Sequence, residues 1–168
     1  MQGYLQPREV ITSILRKGES IGTMSKRLGM SRTSMYYMYR KNTLNKFTAV
    51  TINKHHPEYS LKYLKACNYF ANKDEIDCSM LQEGSIFNYI KHLMFFDFRM
   101  SAVTLGHKMG FNNRSLDYHL TGESTGRYVH QRFMEGLTKA FPHHDVVEWQ
   151  NMFEDGCYLK IEDVIDEL

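Results

Sequence analysis

The segment from Ser20 to Lys41, SIGTMSKRLGMSRTSMYYMYRK, constrains the fold more than any other part of the sequence. Ser20 is a favourable N-cap for one helix, and Ser31 is a favourable N-cap for another. Gly29 lies between them, where glycine can adopt the positive φ that a sharp turn requires. The pattern therefore predicts a helix, a tight turn and a second helix.

The second of these helices is predicted to have an apolar inner face and a polar outer face. Met35, Met38 and Tyr39 lie about one turn apart and are expected to face the core. The outer positions carry Arg32, Thr33, Ser34, Tyr36, Tyr37, Arg40 and Lys41. A helix with such an outer face suits the major groove of DNA. The alternative is a helical hairpin that binds nothing, since such pairs are common in α domains.

The same segment resembles the helix-turn-helix of the phage Cro and lambda-repressor family. The resemblance is carried by Ser20, Met24-Ser25, Leu28-Gly29-Met30, Ser31 and Met35. It implies that the start of the second helix contacts base edges, which assigns that role to Arg32, Thr33, Ser34 and Tyr36. The sequence departs from the family at Ile21, where a polar residue that contacts phosphate is usual.

The charged residues divide unevenly along the chain. Residues 1–73 contain 13 Lys or Arg and 3 Asp or Glu, whereas residues 74–168 contain 8 and 16, so the net charge of +2 hides a basic and an acidic half. A basic half favours a polyanionic partner such as double-stranded DNA, which would repel the acidic half. A chance division between solvated faces is the plainer alternative, but the size of the asymmetry argues against it.

Side chains around the second helix are candidates for contacts with DNA phosphates: Lys26, Arg27, Tyr37, Arg40, Lys41 and Lys46. Each cation that neutralises a phosphate adds affinity that is independent of DNA sequence and falls with salt. Specific recognition would depend on Arg32, which can bond guanine through two acceptors. For any one of these residues, a solvated surface position is an equal alternative.

Three further helices are predicted within residues 1–73. The first covers 8–17, with Pro7 in its first turn and Gly18 at its end. The next covers 42–54 and is expected to direct Leu44, Phe47 and Val50 towards the core. The last follows a cap at Ser60. Five helices is also the number in the lambda-repressor DNA-binding domain.

The second half of the chain contains a pattern similar to that of the first at an offset of 81 residues, which favours an internal repeat; chance similarity between two α-helical segments is the alternative. SAVTLGHKMGFNNRSL, from Ser101, aligns with SIGTMSKRLGMSRTSM without a gap, and Gly110 takes the place of Gly29. Asn113, Arg114 and Tyr118 then form a candidate second DNA site, although Asp117 would be repelled by phosphate. This copy either reads DNA weakly or serves as a module for dimerisation or for a protein partner.

These patterns divide the chain into four parts. Residues 1–73 are a basic helix-turn-helix domain, 74–84 a linker, 85–153 a second and acidic helix-turn-helix-like domain, and 154–168 an acidic tail. Ile161, Val164, Ile165 and Leu168 give the tail helical apolar spacing. It is expected to pack on the second domain or to fray, and the alternatives are docking on a partner or competition with DNA.

The sequence gives little support for catalysis, for a cofactor or for a metal. It lacks GxSxG, HExxH, P-loop and GxGxxG motifs. His55-His56 and His143-His144 have no Cys or carboxylate at zinc-finger spacing, which favours roles at helix ends. No apolar run approaches the roughly 20 residues of a membrane span. The odd number of cysteines, without CxxC, and the absence of a signal peptide favour a reducing cytoplasm. The family resemblance implies that this is the cytoplasm or nucleoid of a bacterial host.

The sequence thus predicts an all-α protein with two tandem repressor-like helix-turn-helix domains of about five helices each. The expected function is transcriptional regulation, of phage or mobile-element type, by occupancy of a promoter without catalysis. Two motifs in one chain can read two half-sites about one helical turn apart, and a homodimer is an alternative arrangement. The alternatives are an interaction protein whose acidic half binds a host protein, and a protein that coats DNA without reading its sequence.

Overall fold

The computed structural model describes residues 3–111, 113–122, 131–154 and 159–168, with the backbone alone for 113–115. This part of the chain folds into eleven α-helices and one 3-10 turn, and it contains no β-strand. The all-α prediction is therefore confirmed. None of the described helices combines the length and the apolar character needed to cross a membrane.

The helices follow one another with short connections. The first five are α1 (Pro7–Ser13), α2 (Ile21–Arg27), α3 (Arg32–Lys41), α4 (Lys46–His55) and α5 (Leu61–Asn72), and a 3-10 turn (Lys73–Glu75) follows them. The remaining six are α6 (Ile86–Phe96), α7 (Ala102–Met109), α8 (Asn113–Leu120), α9 (Gln131–Ala140), α10 (Val146–Glu154) and α11 (Ile161–Val164).

The chain forms two compact units. The first unit comprises Met1–Glu75 together with Phe96–Arg99, and the second unit comprises Ile76–Phe95 together with Met100–Leu168. The sequence division places 85–153 in one domain, but the structure packs four residues of that range, Phe96–Arg99, with the first unit.

The core of the first unit is formed where α2 packs on α3, α1 packs on α3 and α5, and α4 packs on α5. Its most deeply buried side chains are Val10, Ile11, Met24, Met35, Ile52 and Leu64. Met35 and Met38 face this core, and Tyr39 packs partly buried against it, as the spacing predicts. The inner face of α3 is therefore determined, and its opposite face is left to solvent.

Side-chain caps set the starts of the helices in this unit. Ser20 accepts a hydrogen bond from the Thr23 amide and Ser31 accepts one from the Ser34 amide, which confirms both predicted caps. Ser60 caps α5 in the same way. The cap of α4 is Asn45, which accepts from the Thr48 amide at 2.8 Å.

Two helix boundaries differ from the prediction. The predicted helix over 8–17 ends at Ser13, because the residues beyond it bond to side chains: the Ile14 carbonyl accepts from Arg27 and the Arg16 amide donates to Glu19. The predicted helix over 42–54 starts at Lys46, because Asn42 adopts a left-handed conformation (φ 53°) that ends α3.

The inward positions predicted for this helix are confirmed at Leu44, which is buried, and wrong at Phe47 and Val50. Thr48, Ala49 and Ile52 are buried, whereas Phe47 and Val50 are exposed, Phe47 to 68%. Thr48 also donates a buried hydrogen bond to the Met38 sulfur at 3.1 Å. The polar residue Thr48 therefore occupies the inward position that the apolar spacing assigned to the adjacent Phe47.

The second unit contains a helix pair that matches α2 and α3 locally. Ser101 accepts from the Thr104 amide, and Gly110 adopts a φ of 76° after α7. The amide of Phe111 donates to the Gly106 carbonyl at 2.8 Å, as the amide of Met30 donates to the Ser25 carbonyl at 2.8 Å. α7 packs on α8 and on α9, and α9 packs on α10.

The tail packs within the second unit. Ile161, Val164 and Ile165 are buried, and the Lys160 amide is bonded to the Asp163 carboxylate at 3.4 Å. This corresponds to the packed helix that the sequence favoured over a docking arm. The apolar face of the tail is thus already covered by its own unit.

Gly136 gives a direct test of the contact between α7 and α9. A Cβ at this position would lie 2.6 Å from Phe111 Cε2 and 3.2 Å from Met109 Cβ. We expect Gly136→Ala to destabilise the second unit by about 1–3 kcal/mol through overpacking. Trp149 is fully buried in this unit and is the single tryptophan, so its fluorescence in a urea titration measures the effect.

Gly22→Ala provides the matched control for this prediction. A Cβ there would meet only the flexible Arg32 side chain, at 3.1 Å from its Nε, and alanine favours a helix. We expect Gly22→Ala to leave the Trp149 transition unchanged. If the urea midpoint of the Trp149 fluorescence transition of Gly136→Ala were equal to or higher than that of the wild type, this would contradict the close packing of α9 on α7.

Candidate nucleic-acid interface

The turn between α2 and α3 fixes the orientation of the candidate recognition helix. Gly29 follows α2 with a φ of 68°, which is costly for other residues. The Met30 side chain is then buried, and Met24 and Met35 are buried in the same core. α3 cannot rotate about its axis without exposing these methionines, so its outer face is determined by the packing.

The outer face of α3 consists of two stripes of side chains. Arg32, Tyr36 and Arg40 recur every four residues along one of them. The Arg32 guanidinium lies 5.5 Å from the centre of the Tyr36 ring, in a cation–π contact. The Arg32 side chain also lies against Gly22 of α2, so the start of α2 and Tyr36 together position it.

Thr33, Tyr37 and Lys41 form the second stripe, with Ser34 beside it. These four residues line one wall of a groove of about 590 Å³, which we call the α3 groove. Tyr37 is 60% exposed. Two predicted base contacts and two predicted phosphate contacts are thus brought together along one groove.

The floor of the α3 groove is the connection between α3 and α4. Asn68 of α5 accepts hydrogen bonds from the Leu44 amide at 2.7 Å and from the Thr43 hydroxyl at 3.0 Å. Asn72 donates to the Asn42 carbonyl at 3.0 Å. Buried amide side chains therefore hold this connection in place, and no local sequence pattern predicts these long-range bonds.

Glu75, Phe98 and Arg99 also line this groove, and no sequence pattern indicated them as part of a site. Phe98 and Arg99 both adopt positive φ, 53° and 58°. The left-handed conformation costs a non-glycine residue roughly 1–2 kcal/mol. This segment is therefore held in a strained backbone by its surroundings.

Contacts from four consecutive residues oppose that strain. The Phe96 ring lies 5.9 Å from the Tyr69 ring, and Asp97 is paired with Lys65 at 2.8 Å. Phe98 packs against the core of the first unit. Arg99 is paired with Glu75 at 2.6 Å, with 46% of its side chain exposed.

The side chains predicted to contact phosphates differ in their solvent exposure and in their existing hydrogen bonds. Lys26, Arg40, Lys41 and Lys46 are exposed. Arg27 is only 20% exposed and donates two bonds to Glu19, from Nε at 2.9 Å and from Nη2 at 2.8 Å. Its Nη2 also donates to the Ile14 carbonyl at 3.0 Å. Arg27 therefore joins α2 to the segment after α1, and a phosphate would compete with these bonds.

This ion pair makes the first unit sensitive to acid. Hydrogen bonds from Arg27, and next from the Arg16 amide, lower the pKa of Glu19 to about 2. A lowered pKa stabilises the fold above the ordinary pKa of the group, and this contribution is lost as the pH falls towards the folded-state value.

We therefore expect wild type and Glu19→Gln to differ most in stability near neutral pH and to converge as the pH falls from 4.5 towards 2. Urea unfolding followed by circular dichroism over this range measures the difference. Glu58→Gln, at an exposed glutamate of the same unit, is the matched control. A constant difference between wild type and Glu19→Gln would contradict the assignment.

The second helix pair presents a different surface. Asp117 and Tyr118 are exposed on α8. The candidate side chains of Asn113 and Arg114 lie outside the described residues. His119 stacks on Phe87 at 5.0 Å, and burial lowers its pKa. An exposed carboxylate beside Tyr118 disfavours contact with phosphate at this point.

The histidine pairs lie at helix ends. His56 is the residue after α4 and lies 3.3 Å from Glu58. His144 is buried before α10, where its Nδ1 is bonded to Glu148 at 2.6 Å and its Nε2 to the Tyr89 hydroxyl at 3.1 Å. In the described part of the chain, no three metal-ligating side chains cluster around a common point.

Comparisons with protein families, with curated proteins and with solved structures found no match for this chain.

Proposed function

We propose that this protein is a DNA-binding transcriptional regulator that places the outer face of α3 in the major groove. It would be a regulator of phage or mobile-element type that acts by occupying a promoter in the cytoplasm of a bacterial host. Arg32, Thr33, Ser34 and Tyr36 would contact bases. Lys26, Arg40, Lys41, Lys46 and the Tyr37 hydroxyl would contact phosphates, with Arg27 limited by its bonds to Glu19.

The composition of the exposed face of α3 is the main support for this proposal. The exposed face of α3 has three cations, two hydroxyl side chains and two tyrosines, and the helix contains no acidic residue. The packing of Met24 and Met35 directs this face outward. A helix that served only the core would gain nothing from a uniform surface of hydrogen-bond donors, whereas major-groove edges and flanking phosphates bind such groups.

The charge of the first part of the chain supports the same proposal. Residues 1–73 contain ten more basic than acidic residues, and one of the three acidic residues, Glu19, is neutralised by Arg27. Release of counterions from DNA would then contribute much of the affinity and make binding steeply dependent on salt.

We further propose that α7 and α8 form a second repressor-like motif, so that the chain carries two tandem domains. Its support is the matching caps at Ser20 and Ser101 and the matching left-handed glycines at Gly29 and Gly110. Because α8 exposes Asp117 and Tyr118, this motif would make at most a weak DNA contact. An acidic surface of this kind also suits dimerisation or a protein partner.

The main alternative is an interaction protein that acts through the second unit. The acidic balance of residues 74–168 favours it. On that account the DNA affinity of the first unit is incidental. A protein that coats DNA without reading its sequence shares the basic surface, but it does not require a positioned Arg32.

Arg32→Ala and Arg40→Ala distinguish these possibilities as a matched pair. Selection from a random duplex pool first gives the sequence that the full chain prefers. We expect Arg32→Ala to weaken binding to that sequence by about 1–3 kcal/mol with little effect on mixed-sequence DNA. Arg40→Ala should weaken both about equally and lower the dependence of log affinity on log salt by about one.

Each alternative gives a different result in this assay. A coating protein enriches no sequence, and its two variants lose similar affinity. An interaction protein has weak binding to all duplexes, unaffected by Arg32→Ala. Either result would contradict sequence-specific regulation through α3.

A further inference from the structure

The α3 groove has walls from two distant parts of the chain. One wall is the second stripe of α3, with Thr33, Ser34, Tyr37 and Lys41. The other includes Glu75 and Arg99, which lies 58 residues beyond Lys41 in the sequence. The groove therefore combines hydroxyl donors and two cations with a single carboxylate.

The position of Arg99 is set by its own backbone and by the contacts before it. Asp97 and Phe98 attach the segment to Lys65 and to the core of the first unit. Both Phe98 and Arg99 are in the left-handed conformation, which glycine would adopt without strain. Non-glycine residues held in such a conformation cluster at functional segments, so the rim of this groove is a candidate for one.

We propose that Arg99 is a further phosphate-binding residue of this protein and that the α3 groove takes a phosphodiester of the DNA backbone. In the free protein, Glu75 holds the Arg99 guanidinium at the rim of the groove. On binding, the guanidinium exchanges the carboxylate of Glu75 for the phosphate. This inference rests on the proposed function and deepens it, because it adds a contact from residues beyond the helix-turn-helix.

The chemistry of the groove fits a phosphodiester. A guanidinium can bind two phosphate oxygens at once, as it binds the two oxygens of a carboxylate. Lys41 adds a second positive charge, and the Tyr37 hydroxyl can donate to a remaining oxygen, while Thr33 and Ser34 beside them keep the base contacts proposed above. The pair between Arg99 and Glu75 is largely exposed, and exposed ion pairs are weak, so the exchange is feasible.

Substitutions of Glu75 and of Arg99 are expected to have opposite effects on DNA binding. The Glu75 carboxylate both competes for Arg99 and repels the incoming phosphate. Removing the charge of Glu75 should therefore strengthen DNA binding, and removing Arg99 should weaken it. If the ion pair only stabilised the position of this segment, the two substitutions would change the DNA affinity in the same direction, because each breaks the same ion pair.

The experiment uses the full chain and a duplex of mixed sequence, with the affinity measured over a range of salt concentrations. We expect Arg99→Ala to weaken binding about three- to tenfold and to lower the slope of log affinity against log salt by about one. We expect Glu75→Gln to strengthen binding several-fold. Lys139→Ala, which removes an exposed cation from α9 of the second unit, is the control for net charge.

The possible results separate this inference from the proposed function. Opposite effects of Arg99→Ala and Glu75→Gln, with the control near wild type, support the phosphate contact. Weaker binding in both variants, or no change in either while the wild type binds normally, overturns it and leaves the role of α3 intact. A wild-type chain that fails to bind the duplex overturns the proposed function itself.

Discussion

The burial of Met24 and Met35 in the core of the first unit is the constraint on which the proposed interface depends. Both side chains are fully buried, and the left-handed Gly29 turns the chain sharply enough to bring α2 and α3 together. With these methionines inside, the polar residues of α3 must face outward. Arg27 adds a second attachment, through Glu19, between α2 and the segment that follows α1. The outer face is thus a consequence of core packing.

The first unit is completed by four residues from the second half of the sequence. Phe96 is the last residue of α6 and the next three residues follow it, yet Phe96–Arg99 packs with Met1–Glu75. Each of these residues has its own attachment, to Tyr69, Lys65, the core and Glu75, and together these contacts hold two left-handed non-glycine residues. A fragment ending at residue 73 therefore lacks one wall of the α3 groove. The proposed DNA contact at this groove therefore requires residues beyond 73.

Much of the helix-turn-helix could be predicted because its signals are local. Ser20, Ser31 and Gly29 act within a few residues of their own positions, and the spacing of Met35 and Met38 reports burial directly. The face of α4 could not be predicted, because Thr48 is polar and its burial depends on a bond to Met38. Glu75 and Arg99 were missed for a similar reason. Their place in the groove depends on packing between segments that sequence periodicity does not relate.

A backbone NMR titration of the full chain with duplex DNA at low salt tests directly whether DNA binds the outer face of α3. Binding at this face predicts the largest chemical-shift changes at Arg32, Thr33, Tyr37 and Lys41, with smaller changes on α9 and α10. Changes confined to the second unit, or no changes at concentrations where the duplex is bound, would contradict it.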